Sequence, residues 1–103
     1  MPEDVDDVFD ALADATRRQV LRRLADGGPQ TPTELADHLP VSRQAVSKHL
    51  DVLGRAGLVT SARSGRETRF TFRPEPLSDA ADWMADVGAT WDKRLDALKK
   101  RLS

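Results

Sequence analysis

Two closely spaced helix starts, followed by two short strands, constrain the fold of this chain more than any other sequence feature. Residues 31–34 form a capping box, with a threonine cap, a proline at the first helical position and a glutamate three residues after the cap. Pro40 ends this first helix after about two turns, and Ser42 caps the next one. The spacing therefore predicts two helices joined by a tight turn.

The second helix, predicted over residues 42–56, has an apolar side and a polar side. Val46, Leu50 and Leu53 recur at i, i+4 and i+7, which predicts one buried stripe. The exposed start of the helix carries side chains that can read base edges in the major groove of DNA. These predicted DNA-binding residues are Ser42, Arg43, Gln44, Ser47 and Lys48. A solvated polar face, which any amphipathic helix has, is the alternative explanation.

A hairpin follows this helix. Gly57 predicts a left-handed helix end, and Ser64-Gly65 predicts a two-residue turn between strands at 58–63 and 66–73. Arginines cluster around the tip, where they could bind phosphates or enter a minor groove: Arg63, Arg66 and Arg69. An edge hairpin protected by basic residues is the alternative. The elements together predict a mainly α fold with a small β-hairpin, a winged helix-turn-helix of five helices plus a two-stranded wing.

Amphipathic helices are predicted at both ends of the chain, at about 4–13 and, after a Ser78 cap, 78–102. A last helix of about 25 residues is longer than so small a core can cover. We therefore predict that the terminal helices form a dimer interface. Its predicted residues are Val5, Val8, Phe9, Met84, Val87, Trp91, Leu95 and Leu98. The whole chain, 1–103, is interpreted as one domain with a recognition unit at about 31–73.

Charge is distributed unevenly along the chain, although the net charge is only −1. Residues 1–14 carry six acids and no base, whereas residues 15–73 carry eleven bases and five acids. The positive excess coincides with the predicted recognition unit, which favours a double-stranded DNA partner.

The composition argues against several other classes of protein. The chain has no cysteine, which excludes disulfides and thiolate chemistry. His38 and His49 have no second imidazole at ligand spacing, so no metal site and no cofactor are expected. No nucleophile with a base or phosphate-binding loop is found, so the chain is not expected to be an enzyme. No apolar run spans a membrane and the first residues are acidic, so no membrane contact and a cytoplasmic location are expected.

Three stretches resemble the ArsR/SmtB family of bacterial and archaeal repressors: F-D-A-L-A-D-A-T-R-R-Q-V-L-R-R-L (9–24), T-E-L-A-D-H-L-P-V-S-R-Q-A-V-S-K-H-L-D-V-L-G-R-A-G-L-V (33–59) and R-S-G-R-E-T-R-F-T-F (63–72). The resemblance implies a homodimer whose paired recognition helices meet a palindromic operator. It also implies DNA-facing roles for Arg43, Gln44, Ser47, Lys48 and Arg66. The metal-sensing branch has cysteine pairs in the short helix before the recognition helix or Asp/His sets in the last helix, and this chain has no cysteine in the former and no histidine in the latter.

Two further hypotheses stay open from the sequence. A winged helix can bind protein instead of DNA, and a salt-dependent shift of random duplex would separate these two functions. A repressor could also respond to a small molecule in a pocket between the terminal helices, lined by Trp83, Met84 and Trp91. The operator, the regulated genes, any inducer and the choice between repression and activation are not specified by the sequence.

Overall fold

The computed structural model describes residues 3–102, with side chains from residue 5 onward. In chain order the elements are α1 (Glu3–Leu12), α2 (Ala15–Gly27), α3 (Pro32–Ala36), α4 (Arg43–Arg55), β1 (Val59–Ser64), β2 (Glu67–Phe72) and α5 (Glu75–Leu102). Five helices and one two-stranded antiparallel sheet thus occupy the described residues. The fold class predicted from the sequence is confirmed.

The core is built around the apolar stripe of α4. Val46, Leu50 and Leu53 are fully buried, as their spacing predicts. They share one cluster with buried side chains from the other elements, among them Val8, Val20, Leu24, Leu35 and Leu58. Truncating a buried leucine to alanine costs about 2–5 kcal/mol, so this cluster fixes the rotation of α4 strongly. The polar side of α4 is consequently turned away from the protein.

Both predicted helix caps between α2 and α4 are present. Thr31 Oγ1 accepts a hydrogen bond from the Glu34 backbone N–H, and Glu34 Oε1 accepts one from the Thr31 backbone N–H, both at 3.1 Å. Ser42 Oγ accepts from the backbone N–H of Ala45, also at 3.1 Å. These bonds satisfy amides that have no partner within a helix. The short α3 and the start of α4 are therefore fixed by their own sequences.

The wing is formed by β1 and β2, in a register that places Val59 opposite Phe72 and Ser64 opposite Glu67. The two loop residues are consequently Gly65 and Arg66, one position later than the predicted Ser64-Gly65 turn. Gly65 has a φ of 63°, and only glycines have positive φ among the described residues. This pattern is that of a type II′ turn, which takes glycine at its first central position. The correction places Arg66 at the tip of the wing.

A loop outside the wing pairs with it at one residue. Gln30, between α2 and α3, pairs with Phe70 of β2 as an isolated antiparallel bridge. The Phe70 N–H donates to the Gln30 carbonyl at 2.8 Å, and the Gln30 N–H donates to the Phe70 carbonyl at 3.1 Å. The wing is thereby joined to the helices that precede α4.

The prediction that Val5 and Val8 lie in a dimer interface needs correction. Val5 is 3% exposed and Val8 is fully buried within this one chain. The reason is that α1 packs against α5, α4 and α2, so that its apolar stripe belongs to the chain's own core. Phe9 is half-buried and meets Trp83 of α5 edge to face, with ring centroids 5.5 Å apart.

Three polar side chains form hydrogen bonds at the connection between α1 and α2. Asp14 caps α2, its Oδ1 accepting from the Arg17 backbone N–H at 3.0 Å. Arg17 Nε donates to the carbonyl of Ala11 at 2.7 Å, and Arg18 Nη1 donates to that of Leu12. These carbonyls end α1 and lack partners in the helix, so the arginines satisfy its C-terminus from the next helix.

The last helix begins at Glu75, three residues before the predicted Ser78 cap. The Pro74 carbonyl accepts hydrogen bonds from the N–H groups of Leu77 and Ser78, and Pro76 needs no partner in the first turn. Ala80 is the one fully buried residue of α5 among those described. Large apolar side chains further along the helix are exposed: Trp83, Met84, Val87, Trp91, Leu98 and Leu102. Leu95 is half-buried.

Candidate nucleic-acid interface

The predicted DNA-binding residues of α4 lie at the exposed start of that helix. Arg43, Gln44 and Lys48 are exposed, whereas Ser47 is half-buried on the side of the helix that turns toward the wing. Ser42 is exposed and its oxygen is occupied by the cap, although its hydroxyl proton remains free to donate. The buried stripe on the other side of α4 holds this polar face outward.

A groove of about 690 Å³ separates α4 from the wing. Arg43 and Ser47 line it from α4, and Arg66 and Arg69 line it from the wing. The fold thus brings together two predicted residues of α4 and two of the wing, which are 19 to 26 positions apart in the sequence. Gln44, Lys48 and Arg63 do not line this groove and lie on the neighbouring exposed surface.

Acidic side chains in the same groove were not predicted as part of the site. Glu34, Asp51 and Glu67 line it together with Arg43, Arg66 and Arg69, so its three cations face three anions. The sequence suggested only a capping role for Glu34, and the pairing of distant strands and helices was needed to place it here. The groove as a whole therefore does not attract phosphate. Only particular basic side chains that have no partner within the protein can do so.

The basic side chains differ in whether they already have a partner. Within residues 5–102, the side chains of Arg43, Gln44, Lys48 and Arg66 form no hydrogen bond or ion pair. Arg63 Nε donates to the carbonyl of Gly65 at 3.2 Å. Arg69 forms two ion pairs, described below. The hydrogen-bond donors on α4 and at the wing tip are therefore available to bind a ligand.

Comparison with known proteins places this geometry in a family. A family described as a helix-turn-helix domain matches residues 12–62. The chain is 32% identical over 80 residues to the transcriptional repressor SdpR of Bacillus subtilis, which covers 78% of this chain and 88% of that protein. It resembles the solved structure of an ArsR-like transcriptional regulator from Rhodococcus sp. RHA1, with a TM-score of 0.83 and 42% identity over 94% of this chain and 91% of that one. The chain belongs to the ArsR family.

A second solved structure bears on assembly. It is the homodimeric winged helix-turn-helix DNA-binding domain of Mb0332 from Mycobacterium bovis, at 29% identity and a TM-score of 0.66, covering 91% of this chain and 83% of that one. The ArsR-family resemblance seen in the sequence is thus confirmed, and the chain is a transcriptional regulator with a DNA-binding helix-turn-helix domain.

Two carboxylates of this ArsR-family chain have lowered pKa values. The Thr31 backbone N–H is the main reason that the pKa of Glu34 lies below its ordinary value of 4.5, and the neighbouring Arg69 guanidinium lowers it further. The Arg17 backbone N–H likewise holds the pKa of Asp14 below 3.8. Glu34 is therefore a stable anion at neutral pH at the edge of the groove.

Two other kinds of site are missing from the described part of this ArsR-family fold. Among residues 3–102, no group of three or more His, Cys, Asp or Glu side chains is arranged to hold a metal ion. In the same range, the helices are too short or too polar to cross a bilayer. His38 lies on the surface beside α3, and His49 is half-buried on α4.

Proposed function

We propose that this ArsR-family chain is a sequence-specific repressor that binds a palindromic operator as a homodimer. The observation that carries the proposal is the uncommitted state of Arg43 and Arg66, which open onto one groove from α4 and from the wing tip. An α-helix fits the major groove of B-DNA, and a hairpin beside it reaches the adjoining backbone or minor groove. The proposed place of action is the cytoplasm, where a bacterial or archaeal chromosome lies.

The proposed contacts divide into two kinds. The exposed start of α4 is assigned to base edges, since guanidinium, amide, hydroxyl and ammonium groups can pair with them: Arg43, Gln44, Ser47 and Lys48. Ser42, Arg63 and Arg66 are assigned to the phosphate backbone or the minor groove. Phosphate contacts would fix the position of the protein, and base contacts would specify the sequence.

The apolar surface of α5 supports the homodimer. Trp91 is 58% exposed and Val87 is 50% exposed, on a helix that leaves most of its apolar side uncovered. The homodimeric state of the Mb0332 domain supports the same assembly. Proposed interface residues are Phe9, Met84, Val87, Trp91, Leu95 and Leu98. A two-fold axis through this surface would present two copies of α4, which explains the expected inverted repeat.

Repression is supported by the similarity to SdpR, which is named a transcriptional repressor. Selection of binding sites from random duplexes, at several salt concentrations, tests the whole proposal. We expect an enriched inverted repeat with half-site centres one helical turn or a multiple apart. We also expect an affinity that falls steeply with salt. Recovery of no preferred sequence, or of a site without symmetry, would contradict the proposal.

A further inference from the structure

Arg69 differs from the other arginines of the wing because its guanidinium is held by two carboxylates. Arg69 Nη1 lies 3.0 Å from Glu34 Oε1, and Arg69 Nη2 lies 2.9 Å from Glu67 Oε2. Each nitrogen thus donates to a different acid, one on α3 and one on the wing's own strand. The side chains of Arg69 and Glu34 are 39% and 48% exposed, so this ion pair lies at the surface of the molecule.

The Glu34 end of this bridge is itself fixed. Glu34 Oε1 accepts from the Thr31 backbone N–H and from Arg69, so one oxygen joins the capping box of α3 to the wing. Thr31 is only 8% exposed, and α3 packs against α4. The ion pair therefore connects the wing to α3, which in turn packs against the recognition helix.

A second tether acts at the next residue of the wing. Phe70 pairs with Gln30 through two backbone hydrogen bonds. The Gln30 side chain in turn donates from Nε2 to the carbonyls of Arg23 at 2.9 Å and Gly28 at 3.3 Å, at the end of α2. Two consecutive residues of β2 are thus bound to the helical part of the molecule, one by charge and one by backbone pairing.

We propose that Arg69 is a positioning residue, which with Glu34 fixes the wing relative to α4 and so contributes to operator specificity without contacting DNA. This inference rests on the proposed function, because it concerns the distance between the base contacts of α4 and the backbone contact of Arg66. If the angle of the wing is fixed, both contacts form only on DNA of matching groove width. Random sequence can be bound through phosphates alone and is insensitive to that angle.

A positioning role and a phosphate-binding role of Arg69 predict opposite changes in affinity when the charge of Glu34 is removed. An arginine that bound phosphate would lose affinity equally on all sequences when removed, and the salt slope would fall by about one unit. Removing the charge of Glu34 would then release Arg69 and strengthen binding. In a positioning role, loss of either partner weakens specific binding, while the salt slope is unchanged.

The experiment compares wild type with Glu34→Gln and Arg69→Gln on the selected operator and on random duplex. Glutamine keeps an oxygen for the Thr31 N–H, so the cap of α3 is retained, and it removes the negative charge that pairs with the Arg69 guanidinium. Asp37→Asn is the matched control, since Asp37 is an exposed acid just after α3 with no side-chain partner in the described part of the chain. Its effect measures the general loss of one negative charge.

We expect both variants to lower the ratio of operator to random affinity by about fivefold, the size of coupling found between residues in direct contact. This ratio cancels any loss of folded protein. The salt slope should stay that of wild type, and the double variant Glu34→Gln/Arg69→Gln should lose little more than either single one. Tighter operator binding by Glu34→Gln than by Asp37→Asn, or a reduced slope for Arg69→Gln, would overturn the inference.

Hydrogen exchange without DNA tests the tether separately from the proposed function. The Phe70 amide should exchange faster in Glu34→Gln than in wild type or Asp37→Asn, whereas the amide of Leu50 in α4 should keep its rate. Unchanged exchange at Phe70 would show that Arg69 does not hold the wing, and would overturn the inference even if the operator is bound. A wild type with no preferred site would instead contradict the proposed function, and with it the role of Arg69 in specificity.

Discussion

The side chains of the proposed DNA interface differ in how much rotamer freedom they would lose on binding. Arg43 and Arg66 have no partner within the described residues and would lose much of their rotamer freedom on binding. Arg69 has already lost that freedom to Glu34 and Glu67. A long side chain held in this way is suited to defining geometry, whereas a free one is suited to meeting phosphates and bases.

Gln44 is the sharpest test of base reading at the residue scale. Its amide can pair bidentately with adenine, and its side chain is exposed in the first turn of α4. Gln44→Ala should cost about 1–3 kcal/mol on the operator and less on random duplex. Competition binding measures both affinities. Gln19→Ala, which removes an exposed glutamine of α2, serves as the control, and equal losses on both duplexes would contradict base reading by Gln44.

Arg66 tests the wing. Because it lies at the turn with no intramolecular partner among the described residues, Arg66→Ala should weaken binding on every sequence. The slope of log affinity against log salt should fall by roughly one unit. Arg55→Ala removes the same charge from the last turn of α4 and should leave that slope unchanged. An Arg66→Ala slope equal to that of wild type would mean that this arginine only protects an exposed edge.

Local chemistry is the part of the fold that the sequence predicted best at this scale. The caps at Thr31 and Ser42 and the left-handed Gly57 all follow from a residue's own backbone preferences, and all three are present. The turn was misplaced by one residue because Gly65 suits either central position of a two-residue loop. Which pair is used depends on the register of β1 against β2, and residues across the strands decide that register.

At the scale of elements, helix periodicity predicted α4 and the two terminal helices, but long-range pairing was missed. The bridge between Gln30 and Phe70 joins residues 40 positions apart, and no local pattern marks either of them. The ion pair between Glu34 and Arg69 spans 35 positions, and both residues had sufficient local explanations as a cap and as a basic edge. The candidate site was therefore predicted as a set of residues, but the acids that share its groove were not.

The junction of α1 and α2 gives an element-scale prediction about pH. The pKa of Asp14 is lowered in the folded chain, mainly by the Arg17 backbone N–H, so its carboxylate stabilises the fold above the ordinary value of 3.8. That contribution is lost as pH falls through the lowered pKa. An asparagine side chain at this position would still cap the helix and cannot titrate, so Asp14→Asn should show a shallower fall of melting temperature in acid.

Thermal unfolding followed by circular dichroism from about pH 6 to pH 2.5 measures this difference, a range chosen to cover carboxylate titration. Asp6→Asn is the control, because Asp6 is exposed on α1 and its carboxylate accepts no hydrogen bond among the described residues. The control should follow wild type throughout the range. An Asp14→Asn curve parallel to wild type in acid would show that the cap is not what titrates.

At the scale of the whole molecule, α5 dominates the shape. Its 28 residues extend about 42 Å at 1.5 Å per residue, and the chain measures 66 Å along its longest axis but only 26 and 20 Å along the others. The sequence predicted this excess of helix over core. It assigned α1 wrongly in part, because an apolar stripe has the same spacing whether it faces the chain's own core or a partner's.

Trp91 tests the assembly. Trp91→Asp would place a charge in the proposed apolar interface, so the variant should sediment as a monomer at micromolar concentration while wild type sediments as a dimer. It should keep weak binding to random duplex and lose its preference for an inverted repeat. Ala89→Asp adds the same charge on the opposite side of α5 and should remain dimeric. A monomeric wild type would contradict the interface.

The packing of α1 links the proposed dimer interface to the spacing of the two recognition helices. Since α1 contacts both α5 and α4, and Phe9 meets Trp83 across the first of these contacts, the packing of α1 helps to set the distance between the proposed interface on α5 and the recognition helix α4. Helices pack about 8–10 Å apart, and that distance changes with the size of the side chains between them. The spacing of the half-sites in the operator would then depend on the volume of side chains that never contact DNA.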